Sequence, residues 1–366
     1  MQPSVLILTQ PEDSHAYAVA EALKRKGVSA CLWHTSNFPG RDGESISFAT
    51  GTKSLYVDGI ARRRRVPRYR TVWNRRPCLV VPADGVHPAD QKFAETECAA
   101  FRRALFSLLA PDALWVNDPD AAWRASRKPL QLEAAVKVGF AIPDTLVSND
   151  PRRVRQFLAE QGGSLIYKPF AGATWRQGDT HWMPFASLVT AESLVEDRLL
   201  RAVAGIYQAV VPKDYELRVT VMGREAVAVK IRSQETANGR IDWRRSYDEL
   251  KMEPLALAPQ IAARCVAVLR YFGLAFGCID LIVRPDGETV FLEVNESGQF
   301  LFLERFAEVR LLESFAEFLI SGELEFEASR PLGGGIRYDD VIPAVEAMMR
   351  DAREHETAVP ENVVIE

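Results

Sequence analysis

Several protein classes are excluded by what this chain does not contain. Its five cysteines (Cys31, Cys78, Cys98, Cys265 and Cys278) are scattered, with no paired spacing suited to a metal. Dispersed thiols of this kind point to a reducing compartment. No apolar run approaches the ~20 residues that cross a bilayer, so no membrane partner is expected. The N-terminus passes straight into Val5-Leu-Ile-Leu8, without a basic segment or cleavage site, which makes the cytoplasm the expected location. Positive charge is not in excess: the formal net charge is -4, and no nucleic-acid partner is expected. Neither a glycine-rich dinucleotide fingerprint nor a Walker A sequence occurs, and there is no internal repeat. What remains is the 47% hydrophobic, 26% charged balance of an ordinary globular chain. At 366 residues it is long enough for two or three subdomains with substantial cores.

The pattern predicts a mixed α/β and α+β protein. A buried strand over 4–8, an amphipathic helix over 15–26 ended by Gly27, and a strand over 28–33 open an α/β domain covering 1–125. That domain continues through a polar hairpin (45–58), the segment Val72-Trp-Asn-Arg-Arg-Pro77, a helix over 89–109 and the strand Leu114-Trp-Val-Asn-Asp118. The basic run Arg62-Arg-Arg-Arg65, with Arg68 and Arg70, reads either as a solvated edge or as an anion contact. A second unit, 126–187, holds a helix from Pro129 and the strand Ser164-Leu-Ile-Tyr-Lys168-Pro169. A third, 188–322, carries several strands and a helix from Pro259 to Phe272. Residues 323–366 form a C-terminal helix, from Tyr338, and a tail. The five histidines are expected mostly at the surface.

The most informative stretch is Gly277-Cys-Ile-Asp280-Leu-Ile-Val-Arg-Pro-Asp-Gly287-Glu-Thr-Val-Phe-Leu-Glu293-Val-Asn295. Two β-rich runs around a Pro-Asp-Gly turn signal predict a hairpin. With a loop of two or four residues, Asp280 lies opposite Glu293, and alternation brings Asn295 to the same face. Ile279, Leu281, Leu292 and Val294 then take the other face. A three-residue loop would shift the pairing by one and spoil this arrangement. Facing like charges are unfavourable, so a cation is expected between them. Hard oxygen donors without histidine or cysteine suit magnesium bound with phosphate.

Other residues fit a magnesium–nucleotide reading. Lys128 opens a helix and Lys168 ends a strand, so two lysines from separate elements can clamp neighbouring phosphates. The segment Gln208-Ala-Val-Val211 crosses between strands and could read adenine through its backbone, with Glu216 for ribose hydroxyls. Arg218, two residues along the same strand, is placed to stabilise a developing oxyanion. Further basic residues around Asp242-Trp-Arg-Arg245 would face the carboxylates.

These motifs resemble the ATP-grasp superfamily, and within it the graspetide ligases of the microviridin type. The resemblance is carried by Val72-Trp-Asn-Arg-Arg-Pro77, Tyr167-Lys-Pro169, Glu216-Leu-Arg-Val-Thr-Val221, Ile241-Asp-Trp-Arg244 and Leu292-Glu-Val-Asn-Glu-Ser-Gly-Gln-Phe-Leu-Phe302, and it extends to about Gly322. It implies an ATP-grasp fold with an N-terminal pre-ATP-grasp α/β domain, and ATP and Mg2+ as cofactors. It further implies Asp280, Glu293 and Asn295 as metal ligands, Lys128 and Lys168 on the phosphates, Gln208, Ala209, Val210 and Val211 at adenine, and Glu216 at ribose. Arg218 and Arg244 are implied as catalytic. The implied reaction is ATP-dependent activation of a carboxylate as an acyl phosphate, then ester or amide formation within a precursor peptide that carries a leader segment. A homodimer is also implied. Two departures stand out: Ala209 where an acid is common, and a single glycine in Ala171-Gly-Ala-Thr-Trp175. Two other readings stay open: attachment of a free amino acid to a peptide, protein or small carboxylate, and a nucleotide-binding regulator without turnover. The polar segment Ser233–Arg244, expected to protrude, is the candidate leader contact.

Overall fold

A computed structural model of the chain describes residues 4–57, 68–77, 80–170, 175–177, 180–182, 185–194, 196–236, 239–244, 249–328 and 335–357. The run Arg62–Arg65, the loop 171–174 and Gly333–Gly334 lie outside the described residues.

Strand β1 (Val5–Thr9) is apolar along both faces and wholly buried, as the middle of a parallel sheet requires. It lies between β2 (Ala30–His34) and, past the hairpin β3 (Glu44–Ala49) and β4 (Thr52–Val57), β5 (Thr71–Asn74). Strand β6 (Leu114–Val116) pairs in parallel with β5 and completes the order β2-β1-β5-β6. Helices α1 (Ser14–Arg25) and α2 (Gln91–Leu108) belong to this unit. The Asp13 carboxylate accepts the His15 N–H at 3.1 Å and caps α1.

Next come α3 (Pro119–Ala125) and α4 (Lys128–Lys137), then β7 (Thr145–Ser148), α5 (Pro151–Glu160) and β8 (Leu165–Lys168). A short hairpin, β9 (Trp175–Gln177) with β10 (Thr180–Trp182), precedes β11 (Ser187–Val189), α6 (Asp197–Ala202) and β12 (Gly205–Ala209). Strands β11-β8-β12-β7 form an antiparallel sheet with a small apolar core around Val154, Leu158 and Tyr207.

The largest sheet has the order β15-β14-β13-β16-β17: β13 (Tyr215–Met222), β14 (Glu225–Ile231), β15 (Met252–Leu255), β16 (Phe276–Val283) and β17 (Thr289–Asn295). Helix α7 (Pro259–Phe272) packs on one face, where Leu217, Val219, Ile279, Leu281 and Phe291 meet Cys265, Val268 and Leu269. Its end is fixed by Gly273, whose left-handed backbone (φ +79°) would strain any other side chain.

After β17 the chain forms α8 (Leu303–Phe306), α9 (Leu311–Ser321) and α10 (Tyr338–Thr357). Buried Glu304 accepts N–H groups from Leu311, Leu312 and Tyr338, tying together the starts of α9 and α10. Helix α10 lies against α1, and Val341 and Val345 join Tyr17, Val19, Leu23 and Phe315 in one core. Helix α10 thus packs on α1 of the first domain, whereas residues 324–328 lie against the third unit: Arg270 donates to the Leu324 carbonyl, the Arg224 N–H to the Phe326 carbonyl and the Ala328 N–H to Glu225. Among the described residues, no helix is long and apolar enough to cross a membrane.

Candidate active site

The acidic hairpin forms by a route other than the expected one. Gly287, at φ +87°, closes a tight turn by donating its N–H to the Arg284 carbonyl at 2.9 Å. Arg284 then pairs with Glu288, so the loop holds three residues, 285–287. Val283 and Ile282 face Thr289 and Val290, one step off the register that unites the carboxylates. A bulge between Asp280 and Leu281 restores it: Leu281 pairs with Phe291, whereas Asp280 pairs with Glu293. Leu292 is the extra residue. It therefore lines the cleft beside Glu293, and Phe291 takes the core position expected of Leu292.

Three strands present a charged row. Arg218 on β13 lies opposite Asp280 on β16, which lies opposite Glu293 on β17. The Arg218 Nη1 donates to Asp280 Oδ2 at 2.7 Å, and its Nη2 donates to the Gln299 carbonyl at 3.1 Å. Asn295 bridges the two acids, its Nδ2 lying 3.3 Å from Asp280 Oδ2 and 3.4 Å from Glu293 Oε1. Lys128, at the start of α4, donates to the Pro169 carbonyl at 2.9 Å and sits 3.7 Å from Glu293. Lys168, at the end of β8, reaches the same cavity of about 190 Å³ from the facing sheet. Glu216 also lines it and pairs with Lys213 at 3.0 Å.

Electrostatics follow from burial and these partners. Burial pushes the Asp280 carboxyl up to about 6 against the pull of Arg218. Burial also opposes the charge on Glu293, yet Lys128, Lys168 and Arg244 hold its carboxyl below the usual range. The Lys168 ammonium is pulled down by burial, with Glu293 opposing. Burial disfavours the Arg218 cation, but Asp280 outweighs it and holds the proton more firmly than usual. Asp280 Oδ1 is buried without a hydrogen-bond partner. Among the described residues no three His, Cys, Asp or Glu side chains gather as a ready metal cage. Two carboxylates, one of which keeps an unpartnered oxygen, and the side-chain amide of Asn295 suit a hard cation whose remaining ligands come with a phosphate.

Arg244 lies at the same cleft, held by a two-pronged ion pair to Asp242 at 2.6 and 2.8 Å. The segment Gln208–Val211 stands apart from these charges. The Gln208 side chain is buried and donates to Thr145 Oγ1 at 3.0 Å, and the Ala209 N–H goes to the Asp144 carbonyl. Its place is at the end of β12, where the chain crosses to β13.

No protein-family model matches the chain, and no curated protein matches it in sequence. Solved structures do. The macrocyclase MdnC from Microcystis aeruginosa MRC, bound with precursor peptide MdnA, is 28% identical; the match covers 87% of this chain and 100% of that one, with a TM-score of 0.76. The RiPP-associated ATP-grasp ligase of Chryseobacterium gregarium, in complex with ADP and a leader and core peptide, is 25% identical over 87% and 95% of the two chains (TM-score 0.72). The ATP-grasp ligase PsnB, complexed with a variant of its minimal precursor, Mg and ADP, is 25% identical over 88% and 99% (TM-score 0.71). The chain is an ATP-grasp ligase. Its likeness is to the graspetide type, as the motifs imply.

Arg76, Trp243 and Phe302 lie in the motifs that carry the resemblance, but the sequence assigns them no role in the site. A second cavity of about 410 Å³ adjoins the first, and Arg76, Arg218, Arg244, Trp243 and Phe302 line it together with the acids. Arg75 and Arg76 follow the carboxyl end of β5, where open α/β sheets bind ligands, and that position is a signal readable from sequence. His15 departs from its expected surface place. It is buried and held neutral by burial and by Arg75, and its Nε2 accepts the N–H groups of Phe300 and Leu301 at 3.3 Å. Segment 233–244 does not simply protrude: Ser233, Asp242 and Trp243 are buried, and Trp243 stacks on Phe302.

Gln131 lies one helical turn after Lys128. Its amide accepts the Val294 N–H at 3.0 Å and donates to the Val294 carbonyl at 2.9 Å, gripping β17 between Glu293 and Asn295. Gln131→Met is expected to leave both buried backbone groups unpaired, at a cost of about 1–3 kcal/mol each. A lower thermal midpoint together with a raised magnesium requirement is the expected result. An unchanged magnesium requirement would show that Gln131 serves stability alone.

Proposed function

We propose that this ligase joins side chains of a ribosomal precursor peptide by ester or amide bonds, using ATP and Mg2+ and releasing ADP and phosphate. The observation that carries the reading is the meeting of Asp280, Glu293 and Asn295 with Lys128, Lys168 and Arg218 around one cleft between two sheets. Asp280, Glu293 and Asn295 would hold magnesium, which supplies charge neutralisation along the phosphates. Lys128 and Lys168 hold the phosphates from the opposite side. The Gln208–Val211 segment and Glu216 are assigned to adenine and ribose.

In the first step a carboxylate oxygen of the peptide attacks the γ-phosphorus of ATP, the bond to the β-phosphate oxygen breaks and ADP leaves. In the second, a hydroxyl or amine attacks the acyl carbon, phosphate departs with the electron pair, and the nucleophile gives up a proton. Arg218 and Arg244 stabilise negative charge on the acyl oxygen. No covalent link to the enzyme is needed, so positioning and electrostatics carry the rate. The proposed division of labour places residues 1–125 and 188–322 around the acyl group and 126–187 over the phosphates.

The neighbouring structures with precursor, leader and core peptides support a peptide substrate, and we assign its leader to a surface outside the cleft. We assign the protein to the cytoplasm and expect a homodimer. Ala237 and Asn238, within the candidate leader segment, lie outside the described residues.

The test is incubation with ATP, magnesium and candidate precursor peptides, followed by mass spectrometry. Loss of one water per bond formed is expected, with a marked drop when the leader is removed. Equal processing of leaderless peptide would favour attachment of a free amino acid. No product from any acidic peptide would overturn the reading.

A further inference from the structure

The second cavity contains three arginines, and two of them are already engaged. Arg218 is committed to Asp280 and the Gln299 carbonyl, and Arg244 to both oxygens of Asp242. Arg75, the neighbour of the third, is buried and paired with Asp13 at 3.0 Å, and donates to the Ser297 and Gly298 carbonyls. Arg76 differs. Among the described residues its guanidinium has no carboxylate or carbonyl partner, although it is half-buried in the cavity wall. Its backbone is nonetheless fixed, because the N–H groups of Arg75 and Arg76 both donate to the Leu8 carbonyl, at 3.1 and 3.2 Å.

We propose that Arg76 is the specificity residue for the side-chain carboxylate that the ligase activates. The inference rests on the ligase reading and deepens it by naming the group recognised. A guanidinium offers a planar fork of donors that matches a carboxylate in two-point contact. Trp243 and Phe302, stacked with centroids 5.9 Å apart, give the same cavity an apolar wall for the methylenes that bear the carboxylate. Asp280 and Glu293 also line it, so a carboxylate held by Arg76 lies within the space shared with the metal and phosphate residues. Of the acids nearby, Asp13, Asp280 and Glu293 have Arg75, Arg218 and Lys128 as ion-pair partners, and Glu296, which also lines the cavity, forms no ion pair with Arg76 among the described residues. Arg76 therefore acts on binding, whereas Arg218 acts on charge that develops later.

The probe is N-acetyl-glutamate N-methylamide, compared with its glutamine counterpart, each titrated against the full-length protein with Mg·ADP by ligand-observed NMR. The unaltered ligase is expected to prefer the glutamate compound at least tenfold, as the loss of one charged two-point contact would imply. Arg76→Ala should abolish that preference with ADP affinity and thermal midpoint unchanged, and Arg76→Lys should keep part of it. With a convertible precursor, Arg76→Ala should raise KM by roughly 10- to 100-fold with kcat little altered. A preference that survives Arg76→Ala, or none in the unaltered protein, would overturn the proposal. If the preference behaves as expected but no peptide ever loses water, the ligase reading fails and the carboxylate site stands.

Discussion

Glu293→Gln is expected to reduce peptide processing by roughly 10³-fold or more, the effect of losing several kcal/mol of metal-dependent charge stabilisation. The substitution preserves shape, so the folded protein should persist. Its consequence is electrical. Lys128, 3.7 Å away, and Lys168, from the facing sheet, lose the carboxylate that balances them. Product yield against magnesium concentration checks this, with a thermal melt to confirm folding. Normal turnover at ordinary magnesium would remove Glu293 from the metal site, and with it the reading of the hairpin as a phosphate-metal platform.

Arg218→Ala is expected to bind ATP nearly as before and to lose about 10²–10³ in product formation, the usual effect of deleting one donor to a developing oxyanion. The arginine is buried and holds Asp280, so removing it also breaks a buried ion pair, which typically costs ~3–5 kcal/mol. The thermal midpoint should fall, which makes two controls necessary: ADP affinity, and single-turnover rates measured well below that midpoint. Arg218→Lys should recover stability more than rate, because a point charge replaces a planar fork that contacts both Asp280 and the Gln299 carbonyl. Full activity in Arg218→Ala would make the residue structural.

Much of this site was legible from local pattern. Asp280, Glu293 and Asn295 stand out because strand alternation and a turn signal are short-range properties, and oxygen donors facing each other demand an explanation. The α/β opening was legible because an all-apolar strand followed by a capped amphipathic helix has few alternatives. The bulge was not, since no residue type marks it. It exists because a three-residue turn and a shared acidic face ask for registers that differ by one, and Leu292 absorbs the difference. Arg76 was hidden for another reason. Arg75 and Arg76 are identical in type, and only tertiary structure shows that one is consumed by Asp13 whereas the other opens onto a cavity. His15 was missed likewise: its partners, Phe300 and Leu301, lie almost three hundred positions away.

The packing of α10 on α1 has a consequence for how the chain is made. Val341 and Val345, which help to cover Tyr17, Val19 and Leu23, are synthesised more than three hundred residues after them. At ordinary elongation rates of about 5–20 residues per second, that delay is on the order of tens of seconds. For this interval the first helix carries an uncovered apolar stripe. A chain stopped before residue 341 is therefore expected to leave part of that stripe exposed and to aggregate more readily than the full chain.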